Sequence, residues 1–334
     1  MPITLAEAKV GMANKVDQTV IETIRRNSRF MDMLVFDDAI SPGTGGSTLV
    51  YGYTQLLTPG SASGRKINSE YTPQEAKRTT KTTTLTIMGG SYQIDRVLAK
   101  TSNQKINEVA FQNEQKSKAT IARFQYLTIH GKFDTTKDTA SPEFDGLDSL
   151  LAGTGNDIDG SALDLTGEIT EAKAVAFDEA LRKAIKSVKG GKPNCILANG
   201  DMIVKMTTVA RKLGFYTRGL NGFGEETDKY SGIELIDLEQ YYNGTNTVDV
   251  IPIKAATAST AGTTNIYLVR ISASDGFCGV CPMENSIGLT VNLPDFSTAG
   301  AVKTGDVELV GGVALKDSLA AARIKDIKIV PKTA

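Results

Sequence analysis

One histidine, His130, stands in 334 residues. A Ser-His-Asp or Cys-His unit would have to be built on it. It falls directly before Gly131, at the expected end of a long helix, where an imidazole commonly serves the last free carbonyls. The role expected of it is structural. Cys278-Gly-Val-Cys281 has the CxxC spacing. A redox pair of this kind needs a helix N-terminus to lower the first thiol's pKa, whereas this one sits in an apolar, strand-like run ahead of Pro282. An offset of three on a strand sends the two thiols to opposite faces. A zinc site would need two more ligands, and Cys195 with His130 is the one set left to supply them. The cysteines are expected to be buried as small apolar residues.

Other motifs fail for stated reasons. Asn156-Asp-Ile-Asp159-Gly160 resembles part of a calcium loop. With Asp159 as the fifth ligand position, the first and twelfth fall on Gly155 and Thr166, and neither offers a carboxylate. A polar turn is expected instead. The run GSASGRK (60–66) has the wrong spacing for a phosphate cradle and an arginine where the lysine belongs. Gly43-Thr-Gly45 lacks a third glycine and does not join a strand to a helix. Asp37-Asp38 reads as a solvated turn or a helix cap. The sequence therefore gives no expected catalytic residue, metal ligand or cofactor.

Composition narrows the classes. Lys plus Arg number 37 and Asp plus Glu 38, a balance that argues against a nucleic-acid binder, which needs a basic excess. No run of about 18 apolar residues offers a membrane span. The start, MPITLAEAKVGMANK, lacks the basic-then-apolar plan of a signal peptide. Three cysteines fit a reducing compartment. The expected product is soluble and intracellular.

The elements that would position any site follow from periodicity. Val16, Val20, Ile21 and Ile24 mark one face of a helix within 5–27. Residues 48–58 read as a strand, PGSASGRK as a flexible connection, and 79–95 as a second strand whose six threonines between Thr79 and Thr86 suit a half-wet pleat. Gly89-Gly90 reads as a bend or bulge in it. A long helix over 102–130 follows, capped by Thr101 or Ser102 and stopped by Gly131. Its centre, QNEQKSK, is polar, so the helix is expected to lie across something with its middle unburied. Helix 170–189 with Thr170 as cap, strand 195–199, helix 201–213 capped by Asp201, a glycine-rich loop at 214–232, and strands IELIDL, VDVIPI, IYLVRI and GFCGVC suggest an α/β unit at 171–282. The tail returns to strands in SIGLTVNL, VELVGGVALKD and ARIKDIKIV. Extended limbs, exposed strand edges and no site make the chain read as an assembly protein.

Four stretches carry a resemblance that fits this shape: VIETIRRNSRFMDMLVFDDA (20–39), GRKINSEYTPQEAKRTTKTTTLTIMGGSYQIDRVLA (64–99), the helix at 102–130, and GDVELVGGVALKDSLAAARI (305–324). In this order they resemble the major capsid proteins of tailed double-stranded DNA bacteriophages, with the Hong-Kong-97-type fold. The resemblance implies an α+β architecture in four parts: an N-terminal arm at 1–47 and an extended β-hairpin loop at 48–88, then a peripheral domain at 89–170 and 283–334 carrying the long spine helix, and an axial α/β domain at 171–282 with the 214–232 loop toward the capsomer centre. It implies self-assembly as hexamers and pentamers into an icosahedral head shell. That shell would line packaged double-stranded DNA without reading its sequence.

The same resemblance implies residence in the virion after assembly in the host bacterial cytoplasm. Its implied partners are a separate scaffolding protein, since the loop begins near residue 50, a portal protein and a decoration protein. Charged residues of the loop are its expected inter-subunit contacts: Arg65, Lys66, Glu70, Glu75, Lys77, Arg78 and Lys81. Some relatives cross-link a lysine to an asparagine. Lys66, Lys77 and Lys81 lie in that region, and no motif singles one out. Competing readings are an encapsulin-like nanocompartment of the same fold, another phage part such as a tail protein, and an enzyme with converging acids around Asp37, Asp157 or Asp201.

Overall fold

The structure is a computed structural model that describes residues 29–39, 48–97, 108–134, 143–215, 217–220, 226–282 and 288–332. The helix expected within 5–27, the expected caps Thr101 and Ser102, and Gly43-Thr-Gly45 lie outside these residues. In chain order the described helices are α1 (Arg29–Met33), α2 (Glu108–His130), α3 (Leu147–Leu151), α4 (Glu171–Ser187) and α5 (Gly200–Lys212). The first of the described strands are β1 (Phe36–Asp38), β2 (Val50–Thr58), β3 (Lys77–Thr84) and β4 (Thr86–Asp95). They continue as β5 (Asp157–Asp159), β6 (Cys195–Leu197), β7 (Thr217–Leu220), β8 (Glu226–Tyr230), β9 (Ile233–Ile236), β10 (Gln240–Tyr242) and β11 (Thr247–Asp249). The last five are β12 (Gly262–Val269), β13 (Phe277–Cys281), β14 (Leu289–Asn292), β15 (Val302–Leu315) and β16 (Ala321–Val330).

Two sheets organise the body. The first runs β1-β13-β15-β14, with β4 on the other edge of β15, and α2 packs against β4 and β15. Phe124, in the C-terminal half of α2, is fully buried, with ring centroids 5.9 Å from Phe36 and 5.6 Å from Phe144. The second sheet runs β5-β16-β12-β6-β9-β8-β7, and α4 and α5 cover it. Their apolar stripes, Phe177 and Leu181 on α4 and Met202, Met206 and Val209 on α5, bury against Ile196, Leu268 and Ile324. The third element is a pair, β2 and β3, that joins neither sheet.

Several expectations change. The strand over 79–95 is two strands broken at Leu85, because Leu85 is buried among Tyr53, Cys278, Val280 and Ala314 and its N–H turns to the Leu49 carbonyl. The threonines of β3 pair with β2, while β4 pairs with β15 from Thr86 to Asp95. Gly89-Gly90 makes no bulge, since β4 and β15 keep register through it. Its glycines answer close approach instead: a Cβ on Gly89 would stand 2.0 Å from the Val307 carbonyl oxygen. Gly89→Ala is therefore expected to cost about 2–3 kcal/mol by overpacking. A fall in the thermal midpoint would show it, and an unchanged midpoint would mean that the strands part there freely.

The polar middle of α2 is not left unburied. Asn113 and Ser117 are buried, and Ser117, Thr120 and Thr128 donate their hydroxyls to the carbonyls four residues back, at 2.7–2.9 Å. Hydroxyls satisfied inside their own helix can bury without an outside partner. Asn199, not Asp201, caps α5, accepting from the Asp201 N–H, while Thr170 caps α4 as expected. The loop at 214–232 contains the β7–β8 hairpin. VDVIPI forms a strand only to Asp249, after which Val250 and Ile251 are buried outside any strand. Three strands cross the limits of the expected α/β unit: β13 lies in the first sheet beside β15, while β5 and β16 lie in the second, β16 between β5 and β12. Sheet membership follows hydrogen-bond register, which sequence order alone does not specify.

Candidate assembly surface

The β2–β3 pair is an arm with a held base and an exposed length. Its register sets Tyr51 opposite Thr83, Tyr53 opposite Lys81 and Leu56 opposite Arg78. Alternation turns Tyr51, Tyr53 and Gln55 to the body. Tyr53 is buried, and Gln55 Nε2 donates to the Leu315 carbonyl at 2.9 Å. Tyr51 donates its hydroxyl to Asp37 Oδ2 at 2.7 Å, and Lys316 Nζ donates to the same oxygen at 2.5 Å and to the Ala273 carbonyl. The Lys316 ammonium also stands 5.4 Å from the Tyr51 ring centroid, within cation–π range.

This anchor is where Asp37 belongs, rather than in a solvated turn. Burial alone would raise its pKa, but the hydrogen bonds from Lys316 and Tyr51 outweigh that and hold it below the usual value. Burial opposes the charge on Lys316, yet Asp37 and Tyr51 push its pKa up. Sequence reading missed the set because its members lie 14 and 279 residues apart. Lys316→Met is expected to cost about 2 kcal/mol, the scale of a hydrogen bond to a charged group, and to speed proteolysis within 59–76. Unchanged stability and cleavage would remove the anchor from the account.

Beyond the base, every residue from Leu56 to Arg78 is exposed. Leu56, Leu57, Tyr71 and especially Ile67, which is 90% exposed, touch no core. The tip turns at Lys66–Ser69, with the Ser69 N–H on the Lys66 carbonyl and Asn68 at φ 66°. Arg65 stacks over Tyr71 at 5.5 Å and donates to the Ser69 carbonyl. The residues expected to make contacts all lie on this arm: Arg65, Lys66 and Glu70 at the tip, Glu75 on the approach to β3, and Lys77, Arg78 and Lys81 on β3. Alternation puts Lys77 and Lys81 on the face that leads to Thr83, and Arg78 with Leu56 on the other.

The chemically equipped residues have other employment. His130 does not serve its helix's last carbonyls. Its Nδ1 meets Asp148 Oδ2 at 2.7 Å and its Nε2 the Val250 carbonyl at 2.8 Å. Asp148 Oδ1 also accepts from Tyr267 at 2.7 Å and Arg323 at 2.5 Å. Arg323 extends to Asp157, which Lys325 also reaches. Asp157 is thus a buried ion-pair member and not part of a polar turn. Burial would raise the Asp148 pKa, but His130, Tyr267 and Arg323 hold it below the usual value. The network fastens α2, which packs on the first sheet, and α3 to β5, β12 and β16 of the second.

All three cysteines are free and buried. Burial pushes the Cys195 thiol up to about 12 and Cys278 to about 11, the reverse of a reactive thiol. Asp201 stands near Asp237 and Asp249. Burial, with the neighbouring Asp249 and Asp201 carboxylates, raises the Asp237 pKa. Among the described residues no set of histidine, cysteine and acidic side chains is disposed to hold a metal ion, and no helix is long and apolar enough to cross a membrane.

Comparison with known proteins bears on a body with such an arm. A family model described as the SU10 major capsid protein matches residues 6–232. No curated protein matches. Among solved structures, the SrpI encapsulin of Synechococcus elongatus superposes with a TM-score of 0.58 at 14% identity, over 91% of this chain and 89% of that one. The capsid of Myoviridae phage XM1 gives 0.53 at 13% identity, over 89% and 91%. Mycobacterium phage Ogopogo gives 0.51 at 15%, over 90% and 92%.

Proposed function

The chain belongs to the SU10 major capsid protein family and has the Hong-Kong-97-type capsid fold, and from that premise we propose how it builds a shell. The single observation that carries the proposal is the arm: it is held firmly at its base, and from Leu56 to Arg78 it covers nothing of its own subunit. Copies join as hexamers and pentamers. Each arm lies over a neighbouring subunit, where Arg65, Lys66, Glu70, Glu75, Lys77, Arg78 and Lys81 make the charged contacts and Leu56, Ile67 and Tyr71 bury apolar area. The arm is the extended loop of the fold, α2 its spine, the first sheet its peripheral domain, and the second sheet with α4 and α5 its axial domain.

The shell encloses double-stranded DNA in the virion after assembly in the bacterial cytoplasm. Its partners are a scaffolding protein, a portal protein and a decoration protein. The role requires no reaction from the subunit. An encapsulin-like compartment has the same fold, and the match to the phage capsid family decides for the phage reading. Negative-stain microscopy of the expressed chain tests it: closed shells or ring-shaped capsomers are expected, and tubes or monomers alone would contradict it.

A further inference from the structure

The turn between β10 and β11 carries Asn243-Gly244, and the chain from Asn243 to Thr247 is exposed. The Asn243 N–H closes the turn on the Asn246 carbonyl at 3.1 Å. Two further N–H groups converge on one side-chain oxygen. Asn243 Oδ1 accepts from the Thr245 N–H at 3.0 Å and from the Asn246 N–H at 2.8 Å. Donors placed this way draw electron density from the amide carbon Cγ, and they would share the charge of an oxyanion formed on Oδ1. The next backbone nitrogen belongs to Gly244, whose φ is 94°. It has no Cβ to obstruct a close approach to that carbon.

Asn199-Gly200 is the same pair in a different setting. Asn199 is buried, its Nδ2 donates to the Ile251 carbonyl at 2.9 Å, and its Oδ1 accepts from the Asp201 N–H at the start of α5. A Cβ on Gly200 would stand 2.8 Å from Asp237 Oδ2. The amide is held and the space for a ring is taken. Asn246 shares the exposed turn with Asn243, but Thr247 follows it, and a β-branched side chain crowds the nitrogen that would have to attack.

We propose that Asn243 is a self-modification site, at which the turn cyclises the side chain and water then converts it to a carboxylate. The Gly244 nitrogen gives its proton to hydroxide and attacks Asn243 Cγ, so that a new N–Cγ bond forms. The Cγ–Nδ2 bond breaks, and Nδ2 takes a proton from water and leaves as ammonia. A water molecule then opens the succinimide ring. Opening at Cγ gives aspartate, and opening at the backbone carbonyl gives isoaspartate, whose main chain runs through Cβ and Cγ. The sum is hydrolysis of the amide, with no oxidant or reductant. Either product adds a negative charge to a hairpin whose base already carries Glu239 and Asp249. Isoaspartate also lengthens the turn and removes its Asn243–Asn246 closure. Tyr241, stacked 5.0 Å from Tyr126 of α2, still ties the hairpin to the body.

Peptide mapping of the folded full chain, aged in mildly alkaline water enriched in oxygen-18, tests it. The tryptic peptide 230–254 is expected to take up the heavy oxygen at Asn243 and to separate into aspartate and isoaspartate forms. Its rate should rise with pH, because Gly244 must lose a proton, and should exceed that at Asn199 by about tenfold or more, within what aimed donors supply. The synthetic peptide 230–254, free of the fold that fixes the two donors, is expected to change more slowly than the folded chain. A peptide that changes as fast as the folded chain or faster would show that the turn does not promote the reaction and would overturn the proposal. Conversion of Asn199 or Asn246 ahead of Asn243 would overturn it as well.

Discussion

A subunit in which Thr54–Thr80 is replaced by Asn-Gly folds and builds no stable shell. Tyr53 and Lys81 are register partners, and a two-residue Asn-Gly turn closes a hairpin between paired positions without strain. The variant keeps Tyr51 on Asp37, Tyr53 in its pocket and Thr83 beside it. Apart from the Gln55 bond to the Leu315 carbonyl, what it loses is the part that covers no core. The thermal midpoint is therefore expected to stay within a few degrees of the parent. Assembly responds differently, because every copy loses the contact. Each 1.4 kcal/mol removed from one interface weakens it about tenfold, and a closed shell repeats that loss across all its subunits. Sedimentation should show the variant as small species only. Shells of normal yield and size would remove the arm from the assembly mechanism.

Arg323→Met strikes the body instead. Arg323 is the cation for both Asp148 and Asp157, with its side chain 11% exposed and that of Asp157 9% exposed. Removing one member of a buried pair costs about 3–5 kcal/mol, because the remaining charge keeps its desolvation penalty. Lys325 and His130 still reach the two acids, so the lower end, about 3 kcal/mol, is expected in denaturant unfolding. Arg323→Met with Asp157→Asn should recover part of it, since one orphaned charge is then gone. A loss below about 1 kcal/mol would mean that the network is incidental to the joint between the sheets.

The same carboxylates set the pH response. Asp37 and Asp148 have folded pKa values below their unfolded value of about 3.9. Their contribution is therefore complete above that value and is lost as pH falls through the lower folded one. Lys316 has a raised folded value, so its contribution is complete below about 10.4 and fades only as pH rises beyond it. The thermal midpoint is expected to be flat from about pH 5 to 9 and to drop below about pH 4. The Lys316→Met variant should show a shallower acid limb, because Asp37 has already lost its cation.

Much of the architecture was legible in the sequence because it is local. The stripe of Phe177 and Leu181, the cap at Thr170 and the stop at Gly131 are written within a few residues of where they act. The arm was legible too, since a threonine ribbon with almost nothing apolar in its middle and with flanking glycines has no core of its own to cover. What stayed hidden was long-range. Lys316 and Asp37 are 279 residues apart, and nothing near either names the other. His130 could be judged structural, but its partner Asp148 comes from the next helix and Val250 lies 120 residues on. The break at Leu85 is hidden for the same reason: the residues TLT look uniform until the body takes one and the arm the other. The buried polar middle of α2 escaped because Ser117 and Thr120 solve their hydrogen bonds within the helix, which composition does not reveal.

A cryo-electron reconstruction of the assembled wild-type particle, with the chain traced through 50–84, tests whether the arm joins neighbouring copies. A closed icosahedral shell is expected, in which each arm leaves its own subunit at Asp37 and Lys316 and lies across a neighbour. Shells in which the arm folds back over its own subunit, with the interfaces made elsewhere, would contradict it.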